Sequence, residues 1–164
     1  MGNYANNTSV SPEKSQAEIQ NTLRKYGADR FGTMEEKSKA HVMFSYSGLS
    51  IQISITLPEK SVFETTETGR ERSKSAIESS YNQAIRQRWR ALLLAIKAKL
   101  EAIECGISTI EEEFMAFVIM PDGMPLSSHI LPKLQTMIKL VKCLNYFLMG
   151  ENNGNNFNTI SNQN

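Results

Sequence analysis

The run from Gln87 to Ile103, QRWRALLLAIKAKLEAI, must form a long helix, because its apolar residues recur at helical spacing and fixed cations are interleaved with them. Continued towards the N-terminus, the pattern sets Ile77, Tyr81, Ile85, Trp89, Leu92, Ile96, Leu100 and Ile103 on one broad face, the arrangement that buries an amphipathic helix against a core. Ala84, Ala91, Ala95, Ala98 and Ala102 make a second face, small enough for another backbone to approach closely. That face is expected to meet a helix of the same chain or of a second copy. The cations divide into two groups. Arg86, Arg90 and Lys97 share a solvent-side stripe, whereas Arg88 and Lys99 lie on the border between the alanine and apolar faces. A charge on that border must snorkel, pair with a carboxylate such as Glu78, Glu101 or Glu104, or meet an anion.

A chain of 164 residues with 40% hydrophobic content can bury one substantial core. Its 18 basic and 17 acidic residues give a net charge of +1, which argues against a histone-like or duplex-coating protein held by phosphate neutralisation. Cys105 and Cys143 are too few for a disulfide framework and lack metal-ligand spacing, so a reducing compartment is the default. No signal peptide or spanning helix is legible; the apolar run Met137 to Met149 is broken by Lys139, Lys142 and Asn145. The expected location is the cytosol.

Ser11-Pro12-Glu13 reads as a helix start, with Ser11 as cap and Pro12 in the first turn, and Gly27 stops the helix after Tyr26. Ala40 to Tyr46 and Leu49 to Leu57 form a hairpin about Ser47-Gly48, with Ile51, Ile53, Ile55 and Leu57 on its buried side. Pro58 ends the second strand, and Glu59 to Arg72 is a long polar connection carrying Arg70 and Arg72 towards the central helix. Ser108 to Glu111 opens a short capped element, Phe114 to Met120 reads as a buried strand closed by Pro121-Asp122-Gly123, and Leu131 to Met149 is a last helix. In that helix Leu134, Ile138, Val141, Phe147 and Leu148 are available for packing. The fold class expected is α+β: a small mixed or antiparallel sheet, made of the hairpin plus the later strand beside it, packed by the long central helix and a C-terminal helix. The domain reading is a flexible N-terminus over residues 1–10, one domain over 11–149, and a disordered Asn-rich tail over 150–164.

Four segments together resemble a widespread group of small phage and prophage proteins: Leu23 to Phe31 (LRKYGADRF), Arg86 to Leu92 (RQRWRAL), Ile96 to Ala102 (IKAKLEA), and Glu112-Glu113-Phe114 leading to Pro121-Asp122-Gly123. The similarity runs over residues 9–125. It implies a mobile-element origin and a host-cytosol location, and it carries no activity over to this chain. After Pro-Asp-Gly the chain departs from the group's usual ending, with Met124-Pro125-Leu126 and a longer apolar helix.

No acid-base pair or partnered nucleophile can be named from the sequence, so an enzyme is the weakest reading. His41 and His129 lack partners at ligand spacing and read as structural or exposed. Glu111, Glu112 and Glu113 read as an acidic first helical turn, and Cys105 has no activating neighbour in sequence. No phosphate loop is present and no cofactor or metal is expected. The cations carry more weight, since arginine binds phosphate through a planar fork and aromatic rings stack on bases. The favoured reading is a non-enzymatic accessory protein that binds a phosphorylated nucleotide, such as a host-defence signalling nucleotide, through Arg70, Arg72, Tyr81, Arg86, Arg88, Trp89, Arg90, Lys97 and Lys99. The alternatives are a groove for single-stranded nucleic acid in recombination or replication, and a protein-protein inhibitor of a host enzyme. The alanine face would carry a homo-oligomer.

Overall fold

The computed structural model describes residue 5 and residues 7–150, with side chains up to Lys142. It divides into two compact units after Leu126. The expected Asn-rich tail lies outside the described residues apart from Gly150, as do part of the expected flexible N-terminus and the side chains of Cys143, Phe147 and Leu148.

In the first unit, helix α1 (Pro12–Lys25) starts where its capping residues dictate: the Ser11 hydroxyl accepts the Lys14 N–H, and Pro12 occupies the first turn. Gly27, at φ +93°, ends it and turns the chain into strand β1 (Arg30–Glu35). Strands β2 (Lys39–Tyr46) and β3 (Leu49–Thr56) then form the expected hairpin. Its two-residue turn has positive φ at both Ser47 (48°) and Gly48 (80°), the geometry whose twist matches that of the strands it joins. The sheet is antiparallel throughout, in the order β1-β2-β3.

Ala40, Val42 and Phe44 of β2 and Ile51 and Ile53 of β3 point to one face and join α1 and the long helix in a single core. The long helix α2 (Lys74–Glu104) is capped by the Ser73 hydroxyl and buries Trp89, Leu92, Leu93, Ile96 and Leu100. Leu93 was not among the expected core positions yet is fully buried. The buried arc is wider than one stripe because α2 is held on different sides by α1 and by the short helix α3 (Ile110–Phe114).

The third strand corrects the sequence reading. It is β1, ahead of the hairpin, whereas the segment expected as a strand, Phe114 to Met120, begins with the end of α3 and a 3-10 turn over Met115–Phe117. A reciprocal capping box between Thr109 and Glu112 nucleates α3, and the helical geometry delivers Phe114 into the core from its last turn. Only the end of the segment keeps the expected neighbour: Val118 bridges Ile51, and the Ile119 N–H reaches the Ser50 carbonyl at 2.7 Å. The tight turn at Pro121-Asp122-Gly123 is present, with Gly123 at φ +82°. Sequence reasoning overlooked β1 because Arg30-Phe31-Gly32-Thr33-Met34-Glu35 presents a single strongly apolar residue, Phe31, to the core.

Helix α4 (Leu126–Gly150) starts earlier than expected and contains Pro132. Leu134, Ile138 and Val141, expected to pack, are all exposed.

Candidate functional site

Arg90, Lys97 and Lys99 of α2 are held by carboxylates from other helices. Arg90 donates to Glu18 of α1 at 3.0 Å, and Lys97, two turns further along the same stripe, reaches the same carboxylate oxygen at 3.8 Å. Lys99 bridges to α3, with its ammonium 2.8 Å from the Glu113 carboxylate, 2.9 Å from the Glu113 carbonyl and 5.7 Å from the Phe114 ring centre. This hydrogen bond holds the Glu113 carboxyl below its usual range. Arg86 folds back on Gln83, donating through two nitrogens at 2.8 and 3.1 Å, and Arg72 donates to the Ser80 hydroxyl at 2.7 Å. The carboxylates expected from the sequence take little part: Glu78 instead binds Lys60 at 2.7 Å, in the 3-10 turn Lys60–Phe63, and raises its pKa.

The aromatic residues of the expected site are engaged as well. Trp89 is 1% exposed, so its ring is core and offers no stacking face to a ligand. Tyr81 packs edge-on against Phe63 with the Lys60 ammonium 5.0 Å from its centroid, which pins the long polar connection to α2. Arg70 and Arg88 remain exposed without an ion pair among the described residues. The nine residues therefore do not converge on one site. On the alanine face, Ala91, Ala95 and Ala98 are exposed while Ala84 and Ala102 are half-buried.

A concave site does exist, on the sheet. Because Phe31, Val42, Phe44, Ile51 and Ile53 face the core, strand alternation sends Arg30, Gly32, Met43, Ser45, Ser50 and Gln52 to the opposite, outer face. There they line a hollow of about 340 Å³, closed at one end by Ile119. Gly32 sits directly across from Met43, and its missing side chain leaves the depression. The walls are largely apolar, with Arg30, Ser45, Ser50 and Gln52 as the polar residues among them. Helix α2 contributes no lining residue.

One residue row away, the same face carries a polar network. His41 is 7% exposed; its Nδ1 lies 2.8 Å from Ser54 Oγ and 3.1 Å from Gln52 Nε2, and its Nε2 lies 3.8 Å from Glu36 Oε1. His41 is thus buried and partnered across the strands. No spacing in the sequence signals this set, because its members meet only through strand register. The one legible clue was the run of polar residues, Gln52, Ser54 and Thr56, on the hairpin's non-core side.

No family model, no curated protein and no solved structure matches the chain. Among the described residues, no helix is long and apolar enough to cross a membrane, and no cluster of His, Cys, Asp or Glu could hold a metal ion.

Proposed function

We propose that this protein is a ligand-binding accessory of a mobile element that captures a small phosphorylated nucleotide, and that it does so in the hollow on the outer face of the sheet. The observation that carries this reading is the hollow itself. Its volume falls within the roughly 300–1,000 Å³ range of small-molecule sites, and it pairs apolar walls with a single guanidinium at Arg30. A flat base suits the walls, and arginine's planar fork suits a phosphate. The single-strand alternative lacks support on this face, since no Phe, Tyr or Trp stands among the outward residues of the three strands to stack successive bases. The relocation away from α2 follows from the pairing of Arg90, Lys97 and Lys99 with carboxylates of α1 and α3.

A thermal-shift panel of cyclic dinucleotides, cyclic ADP-ribose isomers, adenosine monophosphate and short oligonucleotides, each at two salt concentrations, tests the reading. A nucleotide present at about a hundredfold its Kd stabilises the folded chain by about 2.7 kcal/mol, a shift of several degrees. Arg30→Ala and Gly32→Leu remove the shift, whereas Arg88→Ala keeps it. A β-carbon at Gly32 would stand 3.7 Å from Met43 Cε, an ordinary contact, so the backbone accepts a side chain at this position. Loss of the shift in Arg88→Ala alone, or a response that grows with oligonucleotide length and collapses in salt, overturns the assignment.

Within the same proposal, the exposed Ala91, Ala95 and Ala98 face of α2 is where a second copy docks, because side chains this short let backbones pack at close range. Sedimentation of Ala95→Glu then shows a smaller species than the parent chain. An unchanged sedimentation coefficient removes the second copy from the proposal.

A further inference from the structure

We propose that Ser54 is a nucleophile, an acyl acceptor for small activated carboxylic esters, with His41 as its base and Glu36 positioning that base. Ser54 and His41 are direct cross-strand partners on β3 and β2. The Leu57 N–H bonds the Ser38 carbonyl across the hairpin, so odd-numbered residues of β3 direct their backbone groups towards β2 and Ser54 directs its own away. Ser54 and His41 thus form a non-hydrogen-bonded pair, the kind whose side chains approach most closely. Their contact at 2.8 Å is the result.

Gln52 Nε2 and Ser54 Oγ share Nδ1 as a partner, at 3.1 and 2.8 Å, and with the ring proton on Nε2 that nitrogen's one lone pair is available to both donors. In that state Nδ1 accepts the Ser54 hydroxyl proton, as a general base must. Nε2 is buried, has no hydrogen-bond partner and faces the Glu36 carboxylate 3.8 Å away. A buried N–H left unsatisfied is costly in a folded protein and calls for a reason. The network supplies one: when the ring takes up the serine proton, positive charge appears beside a carboxylate that is 59% exposed and free to close on it. Nucleophile, base and orienting acid are then in the order that activates a serine.

Access is open. Ser54 is exposed, and its backbone N–H points to the free edge of β3, past the place where Val118 bridges Ile51, as a donor for the oxygen of a bound acyl group. In the step proposed, Ser54 Oγ bonds to the ester carbonyl carbon as its proton passes to His41 Nδ1. The carbon–oxygen bond to the leaving group breaks, and that group departs with the electron pair. Water, deprotonated by the same ring, later cleaves the serine ester and releases the carboxylic acid.

The full chain incubated with p-nitrophenyl acetate is expected to release nitrophenolate and to carry an acetyl group on Ser54, located by peptide mass spectrometry. Ser54→Ala, at an exposed position where folding is checked by its circular dichroism melt, loses both signals. His41→Asn slows release by about a hundredfold or more. Glu36→Gln slows it less, and Glu36→Asp restores it, as a charge-bearing positioning residue requires. Acetylation confined to lysines, or equal release by Ser54→Ala, overturns the proposal. Acetylation is read by mass and nucleotide binding by thermal shift on the same parent chain, so failure of the nucleotide reading and failure of this one are read separately.

Discussion

Truncating Trp89 to alanine is expected to lower the unfolding free energy by about 3–5 kcal/mol, measured as the midpoint shift in urea at constant slope. The indole is 1% exposed and belongs to one cluster with Ile19 and Leu23 of α1, Val42 and Phe44 of the sheet, and Ile96 of its own helix. Deleting it removes the largest fully buried side chain among the described residues and opens a cavity that three rigid elements border. Single domains are stable by only about 5–15 kcal/mol, so this one change consumes a large part of the margin. The adjacent Arg88→Ala, exposed and without an ion pair among the described residues, stays within about 0.5 kcal/mol of the parent. If the two variants unfold at similar urea concentrations, Trp89 is not core and the account of α2 is wrong.

Phe114→Ala carries a comparable expected loss, about 3–5 kcal/mol, for a different reason. Phe114 is fully buried and meets Phe44 edge to face, with ring centres 5.5 Å apart and planes at 86°, while the Lys99 ammonium lies 5.7 Å from its ring centre. It joins α3 to the sheet and to α2 at once. Its loss also slackens the Lys99 to Glu113 contact, since both residues depend on α3 being seated. Phe114→Leu, which keeps most of the volume but loses the ring contacts, recovers more than half of the deficit. Differential calorimetry of the two variants separates these outcomes, and equal melting temperatures for Phe114→Ala and the parent would contradict the packing described.

Some of this was readable along the chain. The helix from Ser73 onward, the cap at Ser11, the stop at Gly27 and the Ser47-Gly48 hairpin rest on interactions within a few residues, and the local sequence states them directly. Phe114 to Met120 shows the limit of such reading. Its continuous apolar character suits a buried strand and a buried helical turn equally well, and the decision fell to the Thr109–Glu112 capping box just upstream. The candidate site was less legible still. Gly32 gave no sign of a hollow until Met43 and Gln52 were set beside it, and His41 looked solitary until register placed Ser54 opposite.

By itself the sequence determined which faces are apolar, where helices begin and end, and that the cations of α2 needed partners, because periodicity and capping act over a turn or two of chain. Only the tertiary structure decided which carboxylates meet them. Glu18 comes from α1 and Glu113 from α3, and a charge pair forms wherever packing brings the tips within a few ångströms, whatever their separation in sequence. The same approach of distant segments ties Arg90, Lys97 and Lys99 to other helices and sets Ser54 beside His41 on the sheet.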